Sequence, residues 1–224
     1  MDRTGLFAVG VLVFTLLAGV GPALGLPPQV AAFAFALAVG GFAVDQLFWR
    51  GRLGVLLVGL AEERQAGWLE RVACHEAGHL LVARRLDIPV EDYTLGALAT
   101  FRKGIPGSGG VVFAPPPAQL SLERIEAYCA AYQAGVLAEQ LVLGRAVGGA
   151  DDFQKLALLL GALARRGEGA PTALKNRAER RARAILRAEA DLHRRLSASM
   201  LAGENFEVCL QLIDGARPAV PGDE

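Results

Sequence analysis

The stretch CHEAGHLLVARRL, residues Cys74–Leu86, decides the fold around it. It places two of the chain's three histidines, His75 and His79, four positions apart with a glutamate between them. Residues at i and i+4 lie on one face of an α-helix, so the spacing predicts a helix that presents both imidazoles to the same side. Apolar residues at three- and four-residue steps extend this predicted helix over residues 66–86.

The same spacing is typical of a metal site with a built-in base. Zinc is commonly held by nitrogen and oxygen ligands in tetrahedral geometry, and His75 and His79 supply two nitrogens. Glu76 follows His75 and can reach a metal-activated water as general base without being a ligand itself. Gly78 keeps one side of the turn small, which leaves room for a substrate backbone. The alternative is two histidines that share a helix face by chance.

A catalytic zinc site needs a third protein ligand, and the residues alone leave several candidates. Glu139 lies on a later predicted helix, and His193 lies in a charged helix where we expect it to face solvent. Asp151 and Asp152 follow the flexible pair Gly148–Gly149 at a helix start, where a carboxylate can be directed into a cleft. We expect one of this pair to be a ligand and the other to cap the helix.

The N-terminal region predicts a membrane anchor. Positions 4–44 carry no charge, and a bilayer crossing takes about 20 apolar residues, so this run holds two crossings. We predict that Leu6–Leu26 is the first and Val30–Trp49 the second, separated by the helix-breaking LPPQ turn. Residues 1–52 would then form a transmembrane hairpin.

Two further features bear on that anchor. The ALG sequence at 23–25 resembles a signal-peptide cleavage site, but the apolar run exceeds the usual length of about 7–15 residues, which favours the hairpin. Arg50 and Arg52 follow the second crossing, and the positive-inside rule places both termini and the following domain on the cytoplasmic side. Leu53–Leu60 is apolar but too short to span, and we interpret residues 53–65 as an interfacial linker, with a helix packed against the domain as the alternative.

The remaining sequence predicts one mainly α domain with a small β element. Val90–Thr100 has the composition of a short strand, and GVVFAP predicts a second strand that prolines end. A strand of this kind is usually an edge strand with free backbone groups. The predicted edge, suited to binding an extended peptide, comprises Gly110, Val111, Val112, Phe113 and Ala114.

Helices account for the rest of the domain. Ser121 is a predicted N-cap for a helix that ends near Leu143, and a second helix runs to about residue 166. Lys175–Leu201 predicts a long amphipathic helix rich in arginine, whose charges indicate a solvated face or, as the alternative, contact with anionic lipid. Residues 215–224 are a predicted flexible tail. No basic pattern interleaved with aromatic residues indicates nucleic-acid binding.

Several blocks of this sequence, in order, resemble the peptidase domain of the FtsH family of membrane-bound, ATP-dependent zinc proteases. The resemblance covers about residues 66–214. The matching blocks are HEAGH (75–79), SGGVVFAPP (108–116), AGVLAEQLVLG (134–144), GGADDFQKL (148–156) and ARAILRAEADLHRRLSASML (182–201).

The resemblance implies a role for each matching position. It implies that His75, His79 and Asp152 are the zinc ligands and that Glu76 is the catalytic glutamate. It implies that Glu139 is an outer hydrogen-bond partner of a ligand histidine. The sequence departs from the family at position 140, where glutamine replaces the second acid of the helix motif.

A larger departure concerns the motor. The sequence contains no G-x-x-x-x-G-K-[ST] loop, so we expect no nucleotide binding and no AAA ATPase module in this chain. The resemblance then implies a stand-alone, membrane-anchored zinc metalloendopeptidase that hydrolyses unfolded polypeptides or those that a separate AAA unfoldase delivers. The alternative is a non-catalytic membrane adaptor or regulator of a complete FtsH-type protease. Family members assemble as rings, largely through the motor that is missing here, so the resemblance leaves both a homo-oligomer and a monomer open.

Overall fold

The computed structural model describes residues 10–12, 14–15, 18–20, 25, 27–49, 51–104, 109–115, 117, 119–167 and 169–216. Within these residues the chain is mainly helical with one two-stranded sheet, which confirms the predicted class. The helices are α1 Pro28–Val44, a π-helical segment Asp45–Trp49, α2 Arg52–Glu62, α3 Trp68–Arg85, α4 Ala97–Lys103, α5 Leu122–Leu143, α6 Ala150–Arg165, α7 Pro171–Ala188, α8 Ala190–Leu201 and α9 Phe206–Gly215. The strands are β1 Val90–Leu95 and β2 Gly109–Phe113.

One helical segment near the N-terminus is long and apolar enough to cross a bilayer, among the residues that the structure describes. It is Ala32–Trp49, and only 6% of it is buried, so it is not a core helix of the domain. The first predicted crossing, Leu6–Leu26, lies largely outside the described residues. Its described positions 10–12, 14–15 and 18–20 are helical, and the Phe14 ring lies 4.2 Å from the Phe35 ring, centroid to centroid. The predicted tail also lies outside the described residues, except for 215 and 216.

Helix α3 is the centre of the domain. It packs against α5 on one side and α8 on another, while α5 also packs on α7. The α3 segment Ala73–Ala83 is buried without a break, although three of its residues are His75, Glu76 and His79. A helix that is buried all round places its polar groups inside the protein, so those groups need partners there.

Gly78 lets α3 and α5 approach closely. A Cβ atom at Gly78 would lie 2.7 Å from the Ala138 Cβ and 2.8 Å from the Ala134 carbonyl oxygen. Gly78 therefore faces α5, and the expectation that it leaves room for a substrate is wrong. Its small size serves the contact between the two helices.

The sheet is smaller than the sequence suggests. β1 and β2 pair antiparallel with an irregularity between Val90 and Asp92. The predicted strand Val90–Thr100 ends at Leu95, because Gly96 adopts φ +94° and starts helix α4. Of the predicted edge, residues 110–113 lie in β2 and Ala114 follows it, donating its backbone N–H to the Pro89 carbonyl at 3.0 Å.

The predicted long helix Lys175–Leu201 is broken at Glu189, between α7 and α8. Glu189 has φ −115° and ψ 32°, and its carboxylate binds the Arg85 guanidinium at 2.6–3.0 Å. No glycine or proline marks the break in the sequence. The break instead coincides with the ion pair between Glu189 and Arg85, which is 104 positions earlier in the chain.

We predict that Gly78→Ala destabilises the protein by about 1–3 kcal/mol, because the added methyl overpacks the α3–α5 contact. The matched control is Gly161→Ala in the interior of α6, where the nearest atom to an added Cβ is Arg165 Nη1 at 3.5 Å. The control should be neutral or stabilised by up to about 1 kcal/mol, because alanine favours helix. Urea unfolding of the detergent-solubilised chain measures both, and equal midpoints would contradict the prediction.

Candidate metal centre

Helix α3 places His75 and His79 one turn apart, with ring centroids separated by 4.7 Å and the rings inclined by 72°. The exposed fractions of His75, Glu76 and His79 are 7%, 6% and 3%. Both imidazoles direct their Nε2 atoms toward one point. This arrangement follows from the four-residue spacing.

Asp152 comes to that point from the first turn of α6. Its Oδ2 lies 3.0 Å from His75 Nε2 and 3.2 Å from His79 Nε2. The chain enters α6 through Gly149, whose φ is +100°, a conformation that glycine adopts readily. Asp151 points elsewhere and pairs with Lys155 at 3.1 Å. Neither aspartate, nor any other side chain that the structure describes, caps α6, so the expectation that one of the two aspartates caps the helix is wrong.

The outer nitrogens of both histidines have fixed acceptors. His75 Nδ1 lies 2.7 Å from Glu139 Oε1, and His79 Nδ1 lies 2.7 Å from the Ala131 carbonyl oxygen. A carbonyl oxygen and a carboxylate oxygen accept hydrogen bonds, so each Nδ1 carries the proton that it donates. In neutral imidazoles the Nε2 lone pairs therefore face Asp152. Glu139 occupies the place that the sequence predicts for an outer partner.

Glu139 is itself held by three groups. Beside His75, it accepts from the Arg71 guanidinium at 2.9 Å and from the Val147 backbone N–H at 3.0 Å. Its side chain is 1% exposed. Burial opposes its ionisation, but the bonds to His75, Val147 and Arg71 prevail and lower the pKa of Glu139 to about 2. Glu139 is thus a carboxylate that orients His75 at any physiological pH.

The centre attracts a cation. Burial lowers the pKa of His75, but its bonds to Asp152 and Glu139 outweigh burial and raise that pKa to about 10. Burial also raises the pKa of Asp152, yet the two histidines more than compensate and hold it well below its usual range. The raised pKa puts a proton on His75 Nε2 facing the carboxylate at neutral pH, and a metal cation bound at this point would take the place of that proton.

The ligand atoms fit a metal ion. One ligand atom from each of His75, His79 and Asp152 lies within 4.8 Å of the others, so the cluster could hold a metal ion. Gly135 of α5 keeps this space open, because a Cβ there would lie 2.4 Å from His75 Nε2 and 2.5 Å from His79 Nε2. The donor set and the cradle both suit a small divalent cation with three protein ligands.

Glu76 lies beside the cluster without belonging to it. Its carboxylate reaches the start of β2, since a Cβ at Gly109 would lie 3.1 Å from Glu76 Oε1. No hydrogen bond to this carboxylate is present among the described residues. Burial raises the pKa of Glu76, although the charges of His79 and His75 oppose the shift. Farther along β2, the Phe113 ring stacks edge-on to the His79 ring at 6.4 Å.

His193 corrects another expectation. It is 3% exposed rather than solvent-facing, and its Nε2 lies 2.9 Å from the Cys74 carbonyl oxygen. The chain breaks at Glu189 and begins helix α8, whose buried side includes Leu192 and His193. His193 does not belong to the metal cluster, and its ring joins α8 to α3 just before His75.

Three contributors to the centre are absent from the sequence prediction. Gly135 provides space, the Ala131 carbonyl orients His79, and Arg71 holds Glu139. A backbone carbonyl leaves no signal in a sequence. Arg71 is one turn before His75, on the face of α3 that the two histidines share, and that spacing is the signal that could have revealed it.

No family model matches this chain, and no curated protein matches it. The resemblance to the FtsH peptidases therefore rests on the quoted blocks, and the metal centre rests on the geometry above.

We predict that Asp152→Asn weakens Zn²⁺ binding by more than about 100-fold, because loss of a ligand should exceed the 10–100-fold cost of losing an outer partner. Asp151→Asn is the matched control, since it changes the adjacent carboxylate that contacts Lys155. Competition titration with a chromogenic chelator measures the affinity of each variant. Equal losses in the two variants would contradict the assignment of Asp152.

We also predict that Gly135→Ala lowers bound Zn²⁺ well below one ion per chain, because the methyl enters the space between the imidazoles. Gly161→Ala serves again as the control for a helical glycine. Metal analysis after dialysis gives the stoichiometry, and the unfolding midpoint shows that the variant remains folded. Full occupancy in a folded Gly135→Ala protein would remove Gly135 from the centre.

Proposed function

We propose that this protein is a membrane-anchored zinc metalloendopeptidase that hydrolyses unfolded or partner-delivered polypeptides on the cytoplasmic side of a membrane. The observation that carries the proposal is the convergence of His75, His79 and Asp152 beside the buried carboxylate of Glu76. The resemblance to the FtsH peptidase domain adds support from separate blocks of sequence. The candidate span Ala32–Trp49 supports the anchor, and we propose the two-helix hairpin for residues 1–52.

Zinc suits this donor set better than the harder cations do. Magnesium and calcium prefer sites built from oxygen atoms, whereas two imidazole nitrogens and one carboxylate match a catalytic zinc site with a place left for water or substrate. Zinc bound here would act as a Lewis acid that polarises the scissile carbonyl and acidifies a water. Glu139 and the Ala131 carbonyl hold the two imidazoles in the required tautomer.

Glu76 would act as general base and then as general acid. It accepts a proton from the attacking water, whose oxygen forms the new bond to the carbonyl carbon. It then gives that proton to the amine as the carbon–nitrogen bond breaks. A carboxylate that no donor among the described residues engages, in a buried position that raises its pKa, is suited to carrying a proton in both directions.

β2 would bind the substrate as an added strand. β2 pairs with β1 alone in the sheet of the described residues, so its second edge keeps free backbone groups. Gly109 brings the strand against Glu76, and Phe113 places it beside His79. Recognition through backbone hydrogen bonds shows little sequence preference, which suits a protease for unfolded chains.

The sequence contains no phosphate-binding loop, so energy for unfolding a substrate would come from another protein. Substrates of this chain are therefore polypeptides that are already extended, or that a separate AAA unfoldase or FtsH-type protease presents. The binding partners are the membrane and the polypeptide, without nucleotide or nucleic acid.

We predict that Glu76→Gln abolishes cleavage of a permanently unfolded test protein, such as reduced and alkylated casein, while Zn²⁺ remains bound. The amide keeps the size of the side chain but cannot accept the proton from water. Glu70→Gln is the matched control, because Glu70 lies exposed at the start of the same helix and should retain full activity. Both variants are assayed in detergent alongside metal analysis.

The outcomes separate the proposal from its alternative. Retained cleavage by Glu76→Gln would remove Glu76 from the mechanism. One zinc ion per wild-type chain, with no cleavage of any unfolded substrate, would favour the membrane adaptor, which needs the fold and the metal but no base.

A further inference from the structure

Helix α2 exposes apolar side chains and directs the charged residues at its ends toward the domain. Residues 53–61 contain no polar side chain. Leu53, Leu57 and Ala61 follow one another at four-residue steps on one face, and all three are exposed, Leu57 by 58% and Leu53 by 36%. On the other side of the helix Gly59 is buried, but Val55, one turn before it, is 38% exposed, so apolar exposure extends beyond one face. A helix at an aqueous surface shows the opposite pattern, with its polar face outward.

The charged residues at the ends of α2 turn toward α4. The Arg52 guanidinium lies 5.0 Å from the centroid of the Phe101 ring and donates to the Phe101 carbonyl. At the other end, the Glu63 carboxylate accepts the Ala97 backbone N–H. The two helices are therefore fastened at both ends.

A third contact fastens α2 to the end of the candidate membrane span. Asp45 is 6% exposed, and its two carboxylate oxygens accept the backbone N–H groups of Leu53 and Gly54 at 2.9 and 3.1 Å. The span ends at Trp49 and α2 begins at Arg52. Three residues reach about 10 Å at most, so α2 starts at the level of the bilayer where the span leaves it.

We propose that α2 lies in the membrane interface, with Leu53, Leu57 and Ala61 in contact with lipid, and that it holds α4 against the same surface. Leu98 on the outer side of α4 is 46% exposed, and Arg102 one turn later is exposed as well. An apolar residue and a cation at this spacing match the boundary between acyl chains and anionic headgroups.

The docked helices determine where the sheet lies. β1 leads through Gly96 directly into α4, and α4 contacts both strands. The contacts of Asp45, Arg52 and Glu63 therefore connect the bilayer to β2 without a flexible linker. The edge proposed to bind substrate is kept close to the membrane surface. This inference rests on the proposed membrane anchor but not on the proposed metal chemistry, since a chain without zinc would dock in the same way.

The experiment measures the depth of nitroxide labels on the full chain in nanodiscs of phosphatidylcholine and phosphatidylglycerol. Leu57→Cys and Leu98→Cys report on α2 and α4. Leu158→Cys on α6 is the control, because Leu158 is also a widely exposed leucine, at 65%. The three native cysteines are buried and free, so the wild-type chain treated identically gives the labelling background. The readout is the collision rate of each label with oxygen, which concentrates in lipid, relative to a water-soluble nickel chelate.

We expect an oxygen-to-nickel ratio several-fold higher for Leu57→Cys and Leu98→Cys than for Leu158→Cys, with the deeper position at Leu57. A ratio at either position equal to that of Leu158→Cys would place that helix in water and overturn the proposal. A label at Leu57 shielded from both reagents would show that protein, from a second copy or a partner, covers this face, and would overturn it too. Because no arm measures cleavage, failure here leaves the proposed peptidase untouched, and failure of the peptidase assay leaves this result untouched.

Discussion

The close contact between α3 and α5 is the constraint on which the metal centre depends. Two glycines make it, Gly78 on α3 and Gly135 on α5, and each leaves space that a methyl group would fill. The contact brings the Ala131 carbonyl and the Glu139 carboxylate to within 2.7 Å of the two histidines. Interiors pack at the density of organic crystals, so a fraction of an ångström here decides whether these bonds form. The centre is therefore a product of helix packing as much as of its motif.

The helix packing at the centre buries charged side chains, so it depends on each hydrogen bond that compensates them. Buried charges persist in a protein when other groups compensate them, and here the compensation runs in a chain from Arg71 through Glu139 and His75 to Asp152. Arg71 is the member nearest solvent, with its side chain 24% exposed. Each group along this chain fixes the orientation of the next, so the positions of the imidazoles are determined before any ligand arrives.

Local signals in the sequence predict part of this structure well. The predicted helix 66–86 is observed as Trp68–Arg85, and the predicted cap at Ser121 accepts a hydrogen bond from the Arg124 backbone N–H. The i, i+4 spacing predicts that His75 and His79 converge, and the resemblance selects Asp152 from the candidates. The features that the sequence does not predict depend on contacts between residues far apart in the chain. The break at Glu189 accompanies a bond to Arg85, and the burial of His193 is possible because the Cys74 carbonyl satisfies its ring.

The same reliance on distant partners governs the starts of three segments. At α2, α4 and α6 the residue in the N-cap position is a glycine, and none supplies a side-chain cap. Carboxylates of other residues cap two of these helices, Asp45 at the start of α2 and Glu63 at the start of α4, while Glu139 binds the Val147 N–H in the turn that leads into α6. A helix start exposes unpaired N–H groups and a partial positive charge, so each carboxylate both satisfies a donor and is stabilised by it. Since these contacts form only when the chain has folded back on itself, the three segments take their positions from tertiary structure. Contacts between a carboxylate and the backbone N–H of another segment thus position both the site and the membrane-side helices, and local sequence patterns do not reveal such contacts.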